Sequence, residues 1–169
     1  PDGQYSVGMG PAFLEWQDVP LSEATDTLNL PELVPGLGAP VAVSIGNPHC
    51  VFFVEDADVM DFAPIGREIE HHPLFPNRTN VQFVTPIGRT YIRQRVWERG
   101  VGITGASGSG ACAGAVASLR RGLVDGPVSV FLDGGLLVID WDQSSNQITM
   151  TGTATFAFNG GLSEEMLDG

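Results

Sequence analysis

The chain has 169 residues, with 20 acidic side chains against eight basic ones and a formal net charge of −12, and every basic residue is an arginine. Without lysine there is no Schiff-base amine for pyridoxal phosphate or aldolase chemistry and no phosphate-loop lysine, and an acidic surface repels nucleic acid and anionic lipid. With 43% apolar residues, one domain of this length buries roughly two-thirds of its unfolded surface, so neither disulfides nor a metal are needed to hold it.

The two cysteines, Cys50 and Cys112, fall far below the density of a secreted disulfide scaffold, which predicts a reduced, cytoplasmic chain. The longest apolar runs, 50–54 and 136–139, are too short for a membrane span. The opening Pro1-Asp-Gly-Gln carries neither an initiating methionine nor a signal peptide, and the chain is expected to be a piece of something longer.

In chain order, a short strand is expected over 5–9, followed by a lead-in loop to about residue 39 that is punctuated by Pro11, Pro20, Pro31 and Pro35. The β-branched runs 41–45 and 49–54 flank the turn Gly46-Asn-Pro48 and read as two strands. Residues 59–71 show helical spacing, broken by Pro64 and Gly66. Strands follow over 80–85 and 90–97, the second with Ile92 and Val96 alternating against Arg93, Arg95 and Trp97. The glycine-rich passage 100–110 then leads into a helix over 111–119 whose side chains are small and apolar on every side, as a buried helix requires. Arg120 and Arg121 suit its C-terminal dipole and Gly122 ends it. The last strands are expected over 128–132, 136–141, 147–151 and 153–158, with hairpin turns at Asp133-Gly-Gly135 and Ser144-Ser-Asn146. These elements predict an α+β fold in which a mixed or antiparallel sheet curls into a barrel around one buried helix.

Gly100-Val-Gly102-Ile-Thr-Gly105 matches a dinucleotide fingerprint, but no helix follows it, and Asp133 opens a hairpin where a crossover would be needed. Neither Ser107 nor Ser109 sits in the G-x-S-x-G elbow of a serine hydrolase. His49, Cys50, His71 and His72 lack metal-ligand spacing, so no metal site is expected. Arg93 and Arg95 read as one solvated strand face. The amides of Gly108, Ser109 and Gly110 at a helix N-terminus form a place for a carboxylate or phosphate, with Ser107 in the same positive field. The passage also reads as a loop that only feeds a crowded helix into a barrel, and composition leaves the two readings open.

Four motifs, Ser44-Ile-Gly-Asn-Pro-His-Cys-Val51, Leu74-Phe-Pro-Asn-Arg-Thr-Asn-Val81, Arg95-Val-Trp-Glu-Arg-Gly-Val-Gly102 and Ala106-Ser-Gly-Ser-Gly-Ala-Cys-Ala113, resemble diaminopimelate epimerase in content and order. Val7-Gly-Met-Gly-Pro11 resembles the segment that opens that enzyme's second domain, and the stretches Met150-Thr-Gly-Thr and Phe158-Asn-Gly160 resemble its close. The resemblance covers the C-terminal half of the family's protein, so the N-terminal domain is expected to be missing from this chain.

The resemblance implies interconversion of LL- and meso-diaminopimelate in lysine and peptidoglycan synthesis, without cofactor or metal, by two cysteines on opposite faces of the α-carbon. It implies that Asn47, Asn80, Glu98 and Arg99 hold the distal end of the substrate, that the Gly108 and Ser109 amides hold the reacting carboxylate, and that His49 and Glu98 tune the cysteines. A homodimer is compatible with it. Another cofactor-independent racemase of the superfamily, or a non-catalytic ligand-binding half-domain, are the alternatives. Two departures stand out: Ser107 occupies the family's cysteine position, and Ile103 stands where glutamate is common. A serine hydroxyl without a strong base is too weak an acid for this proton transfer at neutral pH. The departure is compatible with either an altered position or natural divergence.

Overall fold

The computed structural model describes residues 3–161; Pro1 and Asp2, on which the expectation about the chain's opening falls, lie outside them. Its strands are β1 (Gln4–Pro11), β2 (Val41–Ser44), β3 (Pro48–Phe53), β4 (Asn80–Ile87), β5 (Tyr91–Glu98), β6 (Gly102–Thr104), β7 (Val128–Leu132), β8 (Gly135–Asp142) and β9 (Gln147–Thr153). The two helices are α1 (Ala63–Glu70) and α2 (Gly108–Arg120). All strands join one sheet in the order β1-β9-β8-β7-β5-β4-β3-β2, with β6 paired to β5. Hairpins make most neighbours antiparallel, while β3 with β4 and β5 with β7 run parallel. Parallel neighbours need a crossover, and α1 and α2 supply the two.

The sheet curls until its ends meet. Phe13, just beyond β1, exchanges both backbone hydrogen bonds with Ser44 of β2, at 2.9 and 3.0 Å. Inside the curl lies α2, touching β2, β3, β4, β5, β7, β8 and β9. Its Ala111, Cys112, Ala113, Ala115, Val116 and Ala117 are all fully buried and form the inner core with Val43, Val51, Val84, Val96, Val130 and Ile139. Small side chains let the strands close around the helix on all sides. A second core covers the outer face of β2 to β4, where α1 and the lead-in loop pack Val19, Leu30, Phe62 and Ile69 over Phe52 and Phe83. The rings of Phe52, Phe83 and Phe62 follow one another at 5.7 and 5.2 Å.

Several expectations need correcting. The helical pattern over 59–71 forms a helix only from Ala63, with Pro64 in its first turn, where a missing N–H costs nothing. α2 begins at Gly108, three residues before the apolar run, because Ser107 caps it. β6 was not expected. The strand foreseen over 153–158 does not form: β9 continues unbroken to Thr153, and residues 154–161 have no strand partner among the described residues although Phe156 and Phe158 alternate as in a strand. Arg93 and Arg95 are not a solvated face. Arg93 bonds to Asp58 and Asp133, and Arg95 to Asp133, while the Arg95 guanidinium lies 4.5 Å from the centre of the Phe62 ring. Two carboxylates from separate loops and an aromatic face draw these side chains down onto the sheet.

Gly66 of α1 meets Trp97 of β5 so closely that a Cβ would lie 2.7 Å from Trp97 Cβ and Cγ, the stem of the side chain rather than its movable end. Gly8 in β1 has open space at the same position. Gly66→Ala is expected to lower stability by about 1–3 kcal/mol through overpacking, whereas Gly8→Ala stays within about 0.5 kcal/mol. Equilibrium urea denaturation of both variants checks this contrast.

Candidate active site

Parallel β3 and β4 both start at one end of the curled sheet, where antiparallel β5 finishes. The turn into β3 carries Asn47, β3 carries His49, β4 opens with Asn80, and β5 ends on Glu98 followed by Arg99. The N-terminus of α2 comes to the same end, since Asn47 Nδ2 donates to Ser109 Oγ at 3.3 Å. The sequence-predicted residues therefore converge on one face.

Ser107 is the helix N-cap. Its backbone is extended and its hydroxyl oxygen accepts from the Gly110 N–H at 3.2 Å. A serine here satisfies one of the first-turn amides, while those of Gly108 and Ser109 have no acceptor within the helix. Glycine at 108 keeps the cradle shallow, because a Cβ there would stand 3.3 Å from Met150 Sδ. Cys112 is no substitute for a thiol at this spot: it is fully buried in the inner core, and burial pushes its pKa up to about 12. Cys50 points to the outer core, and burial raises its pKa as well.

His49 is fully buried and lies between Asn47 Oδ1 and Gln82 Nε2, each at 2.9 Å. Burial drives its pKa down to about 3, and the nearby Arg99 charge adds to it. The ring is thus neutral, and its bonds go to amides rather than to Ser107.

Asn80 is used at both ends of its side chain: Nδ2 donates to the Pro48 carbonyl at 2.9 Å and Oδ1 accepts from the Arg99 N–H at 3.0 Å. Glu98 Oε1 accepts from Thr104 Oγ1 across the β5–β6 hairpin at 2.5 Å. The opposing directions of Glu98 and Arg99 are resolved by the chain itself. β5 stops at Glu98, Gly100 takes a φ of +77°, and Val101 N–H returns to Glu98 O, so Arg99 sits on a turn with an exposed side chain. Glu70, at the end of α1, holds this turn from behind, accepting from Trp97 Nε1 at 2.7 Å and from the Gly100 N–H at 2.9 Å. Burial works against ionisation of Glu70, but these donors prevail and hold it below the ordinary carboxylate range.

Gln82 and Glu70 escaped sequence reasoning. Gln82 had a readable signal, a polar residue two positions after Asn80 on the face of β4 that the alternation turns inward; Glu70 had none beyond its charge at a helix end. A cavity of about 800 Å³ lies away from this end, over Glu55, Asp58, Tyr91 and Phe131. The candidate site is an open face.

Because His49 ordinarily takes a proton near 6.5 and here only near 3, the unfolded chain binds more protons in that interval. Stability must therefore fall as pH drops from about 6.5, by up to about 1.4 kcal/mol per pH unit from this residue. His49→Gln is expected to be less stable at neutral pH, and its urea-unfolding free energy is expected to converge on that of the parent chain as the pH falls. Parallel curves would mean that His49 is not held neutral.

Comparisons with known proteins give the family and the fold. A family model described as Diaminopimelate epimerase matches residues 41–157. A protein named diaminopimelate epimerase from Rhodospirillum centenum is 48% identical over 99% of this chain and 57% of its own length. Its namesake from Rhizorhabdus wittichii is 50% identical over 93% of the chain and again 57% of its own. The chain thus spans a little over half the length of these relatives. A solved structure of a probable proline racemase from Agrobacterium radiobacter K84 aligns with a TM-score of 0.58, 15% identity, and coverage of 93% of this chain and 54% of that one; it supports the mixed, curled-sheet α+β fold alone. On the strength of the family match and these relatives, the chain belongs to the diaminopimelate epimerase family.

Proposed function

We propose that this chain supplies one half of the site of a diaminopimelate epimerase, converting LL- to meso-diaminopimelate by cofactor-independent, two-base proton transfer in lysine and peptidoglycan synthesis. The observation that carries the reading is the convergence of the α2 N-terminus, Asn47 and the Asn80–Arg99 pair on one open face, in a chain about half identical to relatives that bear that name. An N-terminal domain, expected from the length of those relatives, would close this face and bring the second acid–base group.

In the reaction a base on one face of the α-carbon takes its proton, the electron pair of the broken Cα–H bond spreads into the substrate carboxylate, and an acid on the opposite face returns a proton to the carbon. The α-proton is removable only if the developing charge on the carboxylate is stabilised, which the first-turn amides of Gly108 and Ser109 and the dipole of α2 supply. Arg99, exposed on its turn, offers a bidentate partner for the distal carboxylate. Asn47 adds polar contacts, while Asn80 and Glu98 act from one step back by fixing the Arg99 turn. Two buried, unpaired thiols suit a reducing cytoplasm.

Ser107 favours a second reading, a half-domain that binds ligand without transferring a proton, because its hydroxyl bonds to the Gly110 amide and to no base among the described residues. One substitution separates the two. In the two-domain protein, Ser107→Cys places a thiol in the positive field of a helix N-terminus, where its pKa drops. If the rest of the site is intact, exchange of the α-hydrogen of diaminopimelate in deuterated water is expected to rise at least roughly 100-fold. No gain favours the binding-only reading, and racemisation at ordinary enzyme rates by this chain alone would sink the half-site proposal.

A further inference from the structure

We propose that Gln82 is a positioning residue that sets the direction of a hydrogen-bond relay ending at α2, so that the Ser109 hydroxyl is left to donate its proton to the bound ligand. As to the ligand, this rests on the proposed function. Gln82, His49, Asn47 and Ser109 form one unbranched chain with links of 2.9, 2.9 and 3.3 Å. Gln82 Nε2 can only donate, so His49 Nδ1 must present its lone pair. A neutral imidazole then carries its proton on Nε2 and gives it to Asn47 Oδ1. This leaves the Asn47 NH2 group facing Ser109 Oγ. With a lone pair of that oxygen engaged, the hydroxyl proton is free beside the first-turn amides, which already favour an anion. Every link reversed would give the opposite result: Asn47 Oδ1 would take the Ser109 proton and the cradle would lose a donor.

The surroundings of Gln82 are arranged for this contact rather than for packing. It is fully buried under α2, and its Oε1 has no hydrogen-bond partner among the described residues, a cost that an apolar side chain of similar size would avoid. Glycine at 110 makes the room, since a Cβ there would lie 3.3 Å from Gln82 Nε2 and 3.0 Å from Ser107 Oγ.

The test begins without ligand. In the chain carrying 15N-labelled histidine, two-bond proton–nitrogen NMR is expected to show His49 as the pure Nε2–H tautomer at neutral pH; an Nδ1–H tautomer overturns the proposal. In folded Gln82→Leu the His49 nitrogens should shift towards a mixture of tautomers, and an unchanged pure state would show that Gln82 does not set the direction. Binding of diaminopimelate to the two-domain protein then reads the outer end. Ser109→Ala and Gln82→Leu should each weaken it, roughly tenfold for the lost donor, and the double variant should be no weaker than Ser109→Ala alone. Multiplying losses would overturn the coupling. A wild-type protein that binds no diaminopimelate defeats the proposed function instead, and the tautomer still decides the relay.

Discussion

A helix that has no polar side must be enclosed by apolar surface on every side, and α2 imposes that demand on the rest of the molecule. The first eleven of its thirteen residues are glycine, alanine, serine, valine and cysteine and leave little bulk for packing, so strands have to approach closely and from several directions. A flat sheet covers one side of a helix. Here the sheet bends until β1 and β2 meet at Phe13 and Ser44, and the hydrogen-bonded strands become a sleeve. The outer core of phenylalanines and α1 then stiffens the part of the sleeve from which β3, β4 and β5 emerge.

Enclosure settles where chemistry can occur. The flanks of α2 are inaccessible and its C-terminal arginines are tied back, Arg120 to Ala42 O and Thr27 and Arg121 to Ala39 O. Its N-terminus is therefore the end that can meet a ligand. The parallel pairing of β3 with β4 brings Asn47, His49 and Asn80 to that end together, and the β5–β6 hairpin adds Arg99. The buried imidazole bonds to neutral amides, and the positive end of the helix and the Arg99 guanidinium are the groups at that end suited to an anion.

The elements most legible in the sequence were those whose local and tertiary demands coincide. Strand 128–132 alternates cleanly and matches β7 residue for residue. The all-apolar run after the glycine passage announced a buried helix, and the quoted motifs marked the residues that come together. What stayed hidden depended on partners distant in sequence. Arg93 and Arg95 leave solvent because Asp58, Asp133 and Phe62 arrive from other loops, and the opposed directions of Glu98 and Arg99 make sense only once Glu70 and Asn80 hold the turn. β6 is three residues long and has no pattern of its own; it exists because β5 offers it an edge. Phe156 and Phe158 show the reverse failure, a strand pattern with no strand to pair with among the described residues.

The two native thiols lie on opposite sides of the same sheet, Cys50 under the lead-in loop and α1 and Cys112 within α2, each fully buried and shifted away from ionisation. Thiolate is the species that attacks alkylating reagents and disulfides. The folded chain is consequently a silent background for sulfur chemistry. A single thiol introduced at the mouth of α2 would be addressable alone, allowing a spectroscopic or crosslinking label to be placed at the candidate site without first removing either natural cysteine.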